Sequence, residues 1–204
     1  DYLYESTGSP EGIGSSLRAI DVESGDIDER HSVDDVFAEG IAIMDGSLVQ
    51  LTWRDGIALR YRFPQLTAAG RHSYAGEGWG LTTMGERFVM SNGSDTLYFR
   101  DASFEITEAL PVTYRGRPLH RLNELEYARG RVYANVWYST TIFEIDPETG
   151  AVTRLVDCEA LVAQAGGARE KVLNGIAYDP RNDTFYLTGK YWPLLFEVRI
   201  PHPE

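Results

Sequence analysis

The side chains of this 204-residue sequence that stand out as candidates for acid–base chemistry are widely spaced. Glu39 follows Phe37 in FAEG, Asn123 and Glu124 open NELEY, and Lys190 stands between Thr-Gly and Tyr-Trp-Pro. A carboxylate can move a proton, and an ammonium or amide can donate to an oxygen that gains charge. Trp53, Trp79 and Trp137 add indoles that could wall off water. Other chemistries find no support. The histidines at 31, 72, 120 and 202 have no metal-ligand spacing, and Cys158 has no positioned His partner. No G-x-S-x-G elbow or phosphate loop occurs, and GEGWG lacks the strand–helix context of a dinucleotide fingerprint.

Residues so far apart must be brought together by a repeat. FAEGIAI (37–43), GEGWGLTT (76–83), RLNELEY (121–127) and VLNGIAY (172–178) share polar or glycine positions followed by Leu or Ile. Anchored on Ile41, Leu81, Leu125 and Ile176, they recur at intervals of 40, 44 and 51 residues. A second apolar run begins 7, 7, 7 and 9 residues after each anchor: LVQLTW, FVMSNG, VYANVW and FYLTGK. The links MDGS, MGER, ARGR and DPRND are rich in hairpin-forming residues. A third run begins at Ala58, Leu97, Ile142 and Leu195, and a weaker fourth reads as 71–75, 110–116 and 152–157.

Four strands per unit of 40 to 50 residues are the mark of β-propeller blades. The spacing predicts a five-bladed, all-β propeller forming a single domain over 1–204, with CEALVAQAGG (158–167) the one short helix. LYESTG, LRAID and ERHSV fit the second, third and fourth strands of an opening blade. The first strand of that blade and the closing strand of the last are expected to be missing from the chain.

First strands line a propeller's channel, so matched positions converge near its axis. The sixth residues of the second-strand runs are Gly8, Trp53, Gly93, Trp137 and Lys190, and the first-strand heads carry Glu39, Trp79, Asn123 with Glu124, and Asn174. Strand alternation is expected to turn Glu5 and Glu126 elsewhere.

Composition narrows the partners. The net charge of -12 disfavours a phosphate backbone. No apolar run reaches the roughly 20 residues of a membrane span.

The series YESTG, FAEG, QLTW, EGWGLTT, LNELEY, ANVW, VLNGIA and TGKYWP resembles the plant-type glutaminyl cyclases, or glutamine cyclotransferases, over almost the whole chain. The resemblance implies a five-bladed propeller that converts N-terminal glutamine of peptides or proteins to 5-oxoproline with release of ammonia, without a catalytic metal or cofactor. It also implies a pocket of Phe37, Glu39, Trp53, Trp79, Asn123, Trp137 and Lys190. The family's Phe-Thr-Gln-Gly motif of the first blade does not occur in this sequence. Cyclisation needs no protein nucleophile, because the substrate's α-amine attacks its own side-chain amide. Glu39 is the expected base and acid, Lys190 and Asn123 the expected donors, and the four aromatic side chains the substrate-binding wall. A monomer in the periplasm or secreted is expected. A non-catalytic propeller that binds peptide or glycan ends in an aromatic channel mouth is the alternative.

Overall fold

The computed structural model of the chain describes residues 1–9, 14–167 and 171–202. Five antiparallel sheets are arranged as a β-propeller. The first holds β1 (Tyr2–Thr7), β2 (Ser15–Asp21) and β3 (Ile27–Val33). The second holds β4 (Ala38–Met44), β5 (Ser47–Thr52), β6 (Ile57–Arg62) and β7 (Thr67–Ser73). In the third are β8 (Leu81–Met84), β9 (Arg87–Met90), β10 (Thr96–Arg100) and β11 (Ile106–Pro111), followed by a small hairpin of β12 (Thr113–Tyr114) and β13 (Arg117–Pro118). The fourth holds β14 (Leu122–Ala128), β15 (Arg131–Val136), β16 (Thr141–Ile145) and β17 (Val152–Asp157). Helix α1 (Glu159–Gln164) leads to the fifth, of β18 (Leu173–Asp179), β19 (Thr184–Gly189) and β20 (Phe196–Val198).

The expected blades are therefore present, the first and last with three strands each. One expected strand is misplaced. The apolar LPVTYRG suggested 110–116, yet the outer strand is β11, ending at Pro111. Most of β11 is exposed, so no apolar pattern marks it, while Val112 is fully buried in a core cluster under the following loop.

Burial explains why the second runs are nearly continuous rather than alternating. In β5, Leu48, Val49 and Leu51 are all buried, because each inner sheet packs on a neighbour on both faces. Leu51, Met44 and Ala58 meet Leu81, Phe88 and Met90 between the second and third sheets. Val89, Leu97 and Phe99 meet Leu122, Leu125 and Val132 between the third and fourth. Tyr133 and Ile142 meet Leu173, Ile176 and Phe185 between the fourth and fifth. Between the last sheet and the first, Arg181 pairs with Asp1 at 2.9 Å across a depression lined by Tyr2, Tyr178 and Tyr186.

Hairpins set the register. Asp45 and Gly46 (φ 48° and 69°) link β4 to β5, and Arg129 and Gly130 (φ 53° and 75°) link β14 to β15, as two-residue turns with both central residues left-handed require. Inner strands also need close approach: a Cβ on Gly80 would collide with the carbonyl of Asn123 in the next sheet.

Candidate active site

The same irregularity opens the inner strand of three sheets. Pairing runs Ala38↔Thr52 then Ile41↔Gln50, Leu122↔Val136 then Leu125↔Ala134, and Leu173↔Gly189 then Ile176↔Leu187. Each gains one residue on the inner strand, a β-bulge, and such bulges re-aim side chains at sites. The bulged pairs are Glu39–Gly40, Asn123–Glu124 and Asn174–Gly175. Just before each bulge a backbone bond fixes the second strand: Trp53 N–H to Phe37 (2.8 Å), Trp137 N–H to Arg121 (3.0 Å) and Lys190 N–H to Val172 (2.9 Å). Trp53, Trp137 and Lys190 are thus structurally equivalent, as their register in sequence indicated. At the corresponding positions Gly8 and Gly93 leave room, and a Cβ on either would run into the ring of Phe37 or of Trp79.

A polar chain ties the bulges together. Gly40 N–H donates to the Trp79 carbonyl (2.8 Å), Gly80 N–H to Ser91 Oγ (2.8 Å), and the Ser91 hydroxyl to the Asn123 carbonyl (2.7 Å). Gly175 N–H donates to Asn135 Oδ1 at 2.9 Å and joins the fifth sheet to the fourth. Ser91 and Asn135 occupy the fourth position of their runs and went unnoticed in the sequence, where they resembled interruptions of a strand.

The side chains then form a continuous mouth. Lys190 Nζ lies 3.8 Å from Glu39 Oε1 and 5.6 Å from the centre of the Phe37 ring. Phe37 meets Trp53 edge-on at 5.5 Å, and Trp79 meets Trp137 edge-on at 5.4 Å. Glu77 joins the two halves, accepting the indole N–H groups of Trp53 (2.8 Å) and Trp79 (2.9 Å) on one oxygen. Its other oxygen accepts Arg54 Nε at 3.2 Å, and the Arg54 guanidinium covers Trp53 at 3.7 Å. Sequence reasoning missed Glu77, although a carboxylate two residues before Trp79 among glycines was a usable signal.

Glu39 is 13% exposed and makes no side-chain hydrogen bond among the described residues. Burial raises its carboxyl from 4.5 to about 7, against the opposing pull of Lys190, and Glu77 adds to the rise. Burial also acts on Glu77, but the N–H groups of Trp79, Trp53 and Arg54 outweigh it and hold that carboxyl below its usual range. One carboxylate is therefore locked and ionised, and its neighbour is left uncommitted.

Asn123 is buried at the bulge of β14, and its side chain has no hydrogen-bond partner among the described residues. Glu124 beside it is pushed well above 4.5 by burial and by the charges of Glu126 and Glu39. Glu126, expected to turn away from the mouth, bridges the inner strands of three sheets. It accepts Tyr178 N–H (3.0 Å) from the fifth sheet and the Thr82 hydroxyl (3.1 Å) from the third. Glu5 instead pairs with Arg18 at 2.9 Å within the first sheet. Among the described residues no three His, Cys, Asp or Glu side chains converge as a metal site would need.

Comparison with known proteins sharpens this geometry. A family model of glutamine cyclotransferases matches residues 1–200. A glutaminyl-peptide cyclotransferase of Arabidopsis thaliana is 33% identical over 207 residues, covering 98% of this chain. The chain spans 64% of that relative's length. The crystal structure of glutaminyl cyclase from Myxococcus xanthus superposes with a TM-score of 0.91 at 38% identity, over 97% of this chain and 85% of that one. Hydrazine synthase of Kuenenia stuttgartiensis, at 13% identity and a TM-score of 0.53 over 90% of this chain and 54% of its own, shares the fold alone.

Proposed function

We propose that this chain, which belongs to the glutamine cyclotransferase family, cyclises the N-terminal glutamine of peptides or proteins to 5-oxoproline and releases ammonia. The observation that carries this reading is Glu39: a carboxyl raised to about 7, free of hydrogen bonds from the described protein groups, and 3.8 Å from an ammonium that itself lies over the Phe37 ring. A general base and acid works best with a pKa near the operating pH.

Each step uses a group at the mouth. The substrate's α-amine, once neutral, attacks its γ-carboxamide carbon, and the ring C–N bond forms. The amine proton passes to Glu39, and negative charge develops on the amide oxygen. Lys190 and the unpartnered side-chain amide of Asn123 supply donors for that oxygen. Glu39 then returns the proton to the departing nitrogen, the C–NH2 bond breaks, and ammonia leaves. Phe37, Trp53, Trp79 and Trp137 hold the flexible side chain folded and exclude water, an orientation effect on the order of several kcal/mol. The reaction runs without a catalytic metal in this reading, on a monomer working in the periplasm or outside the cell.

Ammonia release from a glutaminyl dipeptide, measured with and without a chelator, tests it. Release unaffected by chelator is expected. Release that stops with chelator would overturn the metal-free mechanism, and binding of the dipeptide without any release would favour a non-catalytic peptide-binding propeller.

A further inference from the structure

Two tyrosines beside the mouth have no place in the reaction above. Val136-Trp137-Tyr138-Ser139 forms a turn closed by Ser139 N–H to the Val136 carbonyl (2.8 Å), and Gly189-Lys190-Tyr191-Trp192 forms its counterpart, closed by Trp192 N–H to Gly189 (3.1 Å). In both, the third residue is left-handed, with φ 69° at Tyr138 and 59° at Tyr191. That position favours glycine or asparagine, and a bulky side chain there is an outlier. Leu66 and Phe104 share this conformation but are buried in the core, so what sets Tyr138 and Tyr191 apart is that their rings are displayed to solvent.

Neither ring serves the core. Tyr138 is 53% and Tyr191 71% exposed. The next residue behaves differently: Trp192 packs on the fourth-to-fifth sheet cluster and donates its indole N–H to Lys171. Tyr138 stacks on Trp137 at 4.7 Å and 20° between planes, extending the aromatic wall outward. Tyr138, Tyr191, Trp137, Lys190 and Val172 line one depression.

Resting on the cyclase reading, the geometry points to this depression as the subsite for the substrate's second residue, selecting an aromatic or large apolar side chain. With the glutamine at Glu39, the chain leaves past Trp137 and Lys190, and the next Cα is only about 3.8 Å further out. Its side chain then lies between two exposed rings. These suit an apolar or aromatic partner, by area buried and by edge or offset stacking.

The test compares kcat/KM for ammonia release from Gln-Phe amide and Gln-Gly amide. The parent is set against a Tyr138→Gly/Tyr191→Gly double variant, in which glycine accepts the left-handed turns easily. Ile106→Ser, which alters an exposed apolar residue of β11 on the third sheet, is the control. The parent and the control should prefer Gln-Phe by about tenfold, as a partly open apolar subsite allows, and the double variant should bring that ratio close to one. No preference in the parent, or the same preference in the double variant, overturns the subsite while leaving the cyclase reading standing. Absence of ammonia from both peptides in every protein would overturn the cyclase reading itself.

Discussion

Glu39 on β4 and Glu126 on β14 both belong to inner strands, and burial raises both carboxyls to about 7. Their bonding differs completely. Glu126 accepts the Tyr178 N–H on one oxygen and the Thr82 hydroxyl on the other, and Thr82 Oγ is itself held by the Tyr127 N–H. It is a fastener across three sheets. Glu39 has only an ammonium at 3.8 Å and no hydrogen bond from the described side chains. A displaced pKa alone therefore does not identify a reacting group. The bonds left open do, and the two residues can be separated experimentally.

The largest expected effect is at Glu39. Glu39→Gln should lower ammonia release by about 10² to 10⁴-fold, the range for a lost acid–base group, while the melting temperature holds. The mirror-image result belongs to Glu126. Glu126→Ala strands the Tyr178 N–H and the Thr82 hydroxyl, and urea unfolding should register a loss of about 2 kcal/mol. Its kcat/KM, measured where the variant is folded, should stay within a few-fold of the parent. If Glu126→Ala lost activity and kept its stability, the contrast would collapse.

Stability against pH refines the same comparison. A carboxyl at about 7 in the fold and near 4.5 when unfolded keeps its proton longer in the native state. Stability then falls as pH rises from about 4.5 to about 7. Glu126→Gln removes that contribution and keeps an acceptor for Tyr178. Its melting temperature should decline less than the parent's between about pH 5 and pH 7, the remaining slope coming from Glu39 and Glu124. An unchanged slope would mean that Glu126 does not titrate there.

The smallest effect is at Glu77, whose charge raises Glu39 as the last of three influences. Glu77→Gln can still accept the indole N–H groups. It should move the acid limb of the rate profile down by roughly half a pH unit or less. A shift upward would show that Glu77 acts on Glu39 mainly by holding the indoles.

Much of this was legible in the sequence because the repeat is carried by apolar anchors that the packing between sheets requires. Ile41, Leu81, Leu125 and Ile176 gave the register, and the register placed Trp53, Trp137 and Lys190 at one level. Glu77 escaped because it lies in a loop, outside any strand pattern, and its importance comes from two indoles that only the closed ring brings together. The partners of Glu126 escaped because they sit on neighbouring sheets, and the bulge at Asn123–Glu124 beside it has no fixed sequence mark. The outer strand β11 was misplaced because solvated strands need no apolar period.

The central claim is that Glu39 carries the proton. The pH dependence of kcat/KM for ammonia release from a glutaminyl dipeptide, which reports groups of the free protein once the substrate's own α-amine titration is divided out, tests it most directly on the parent and on Glu39→Gln. The parent should show an acid limb centred near pH 7 that is absent from the residual activity of the variant. A limb near pH 4.5 in the parent, or the same limb surviving in Glu39→Gln, would contradict it.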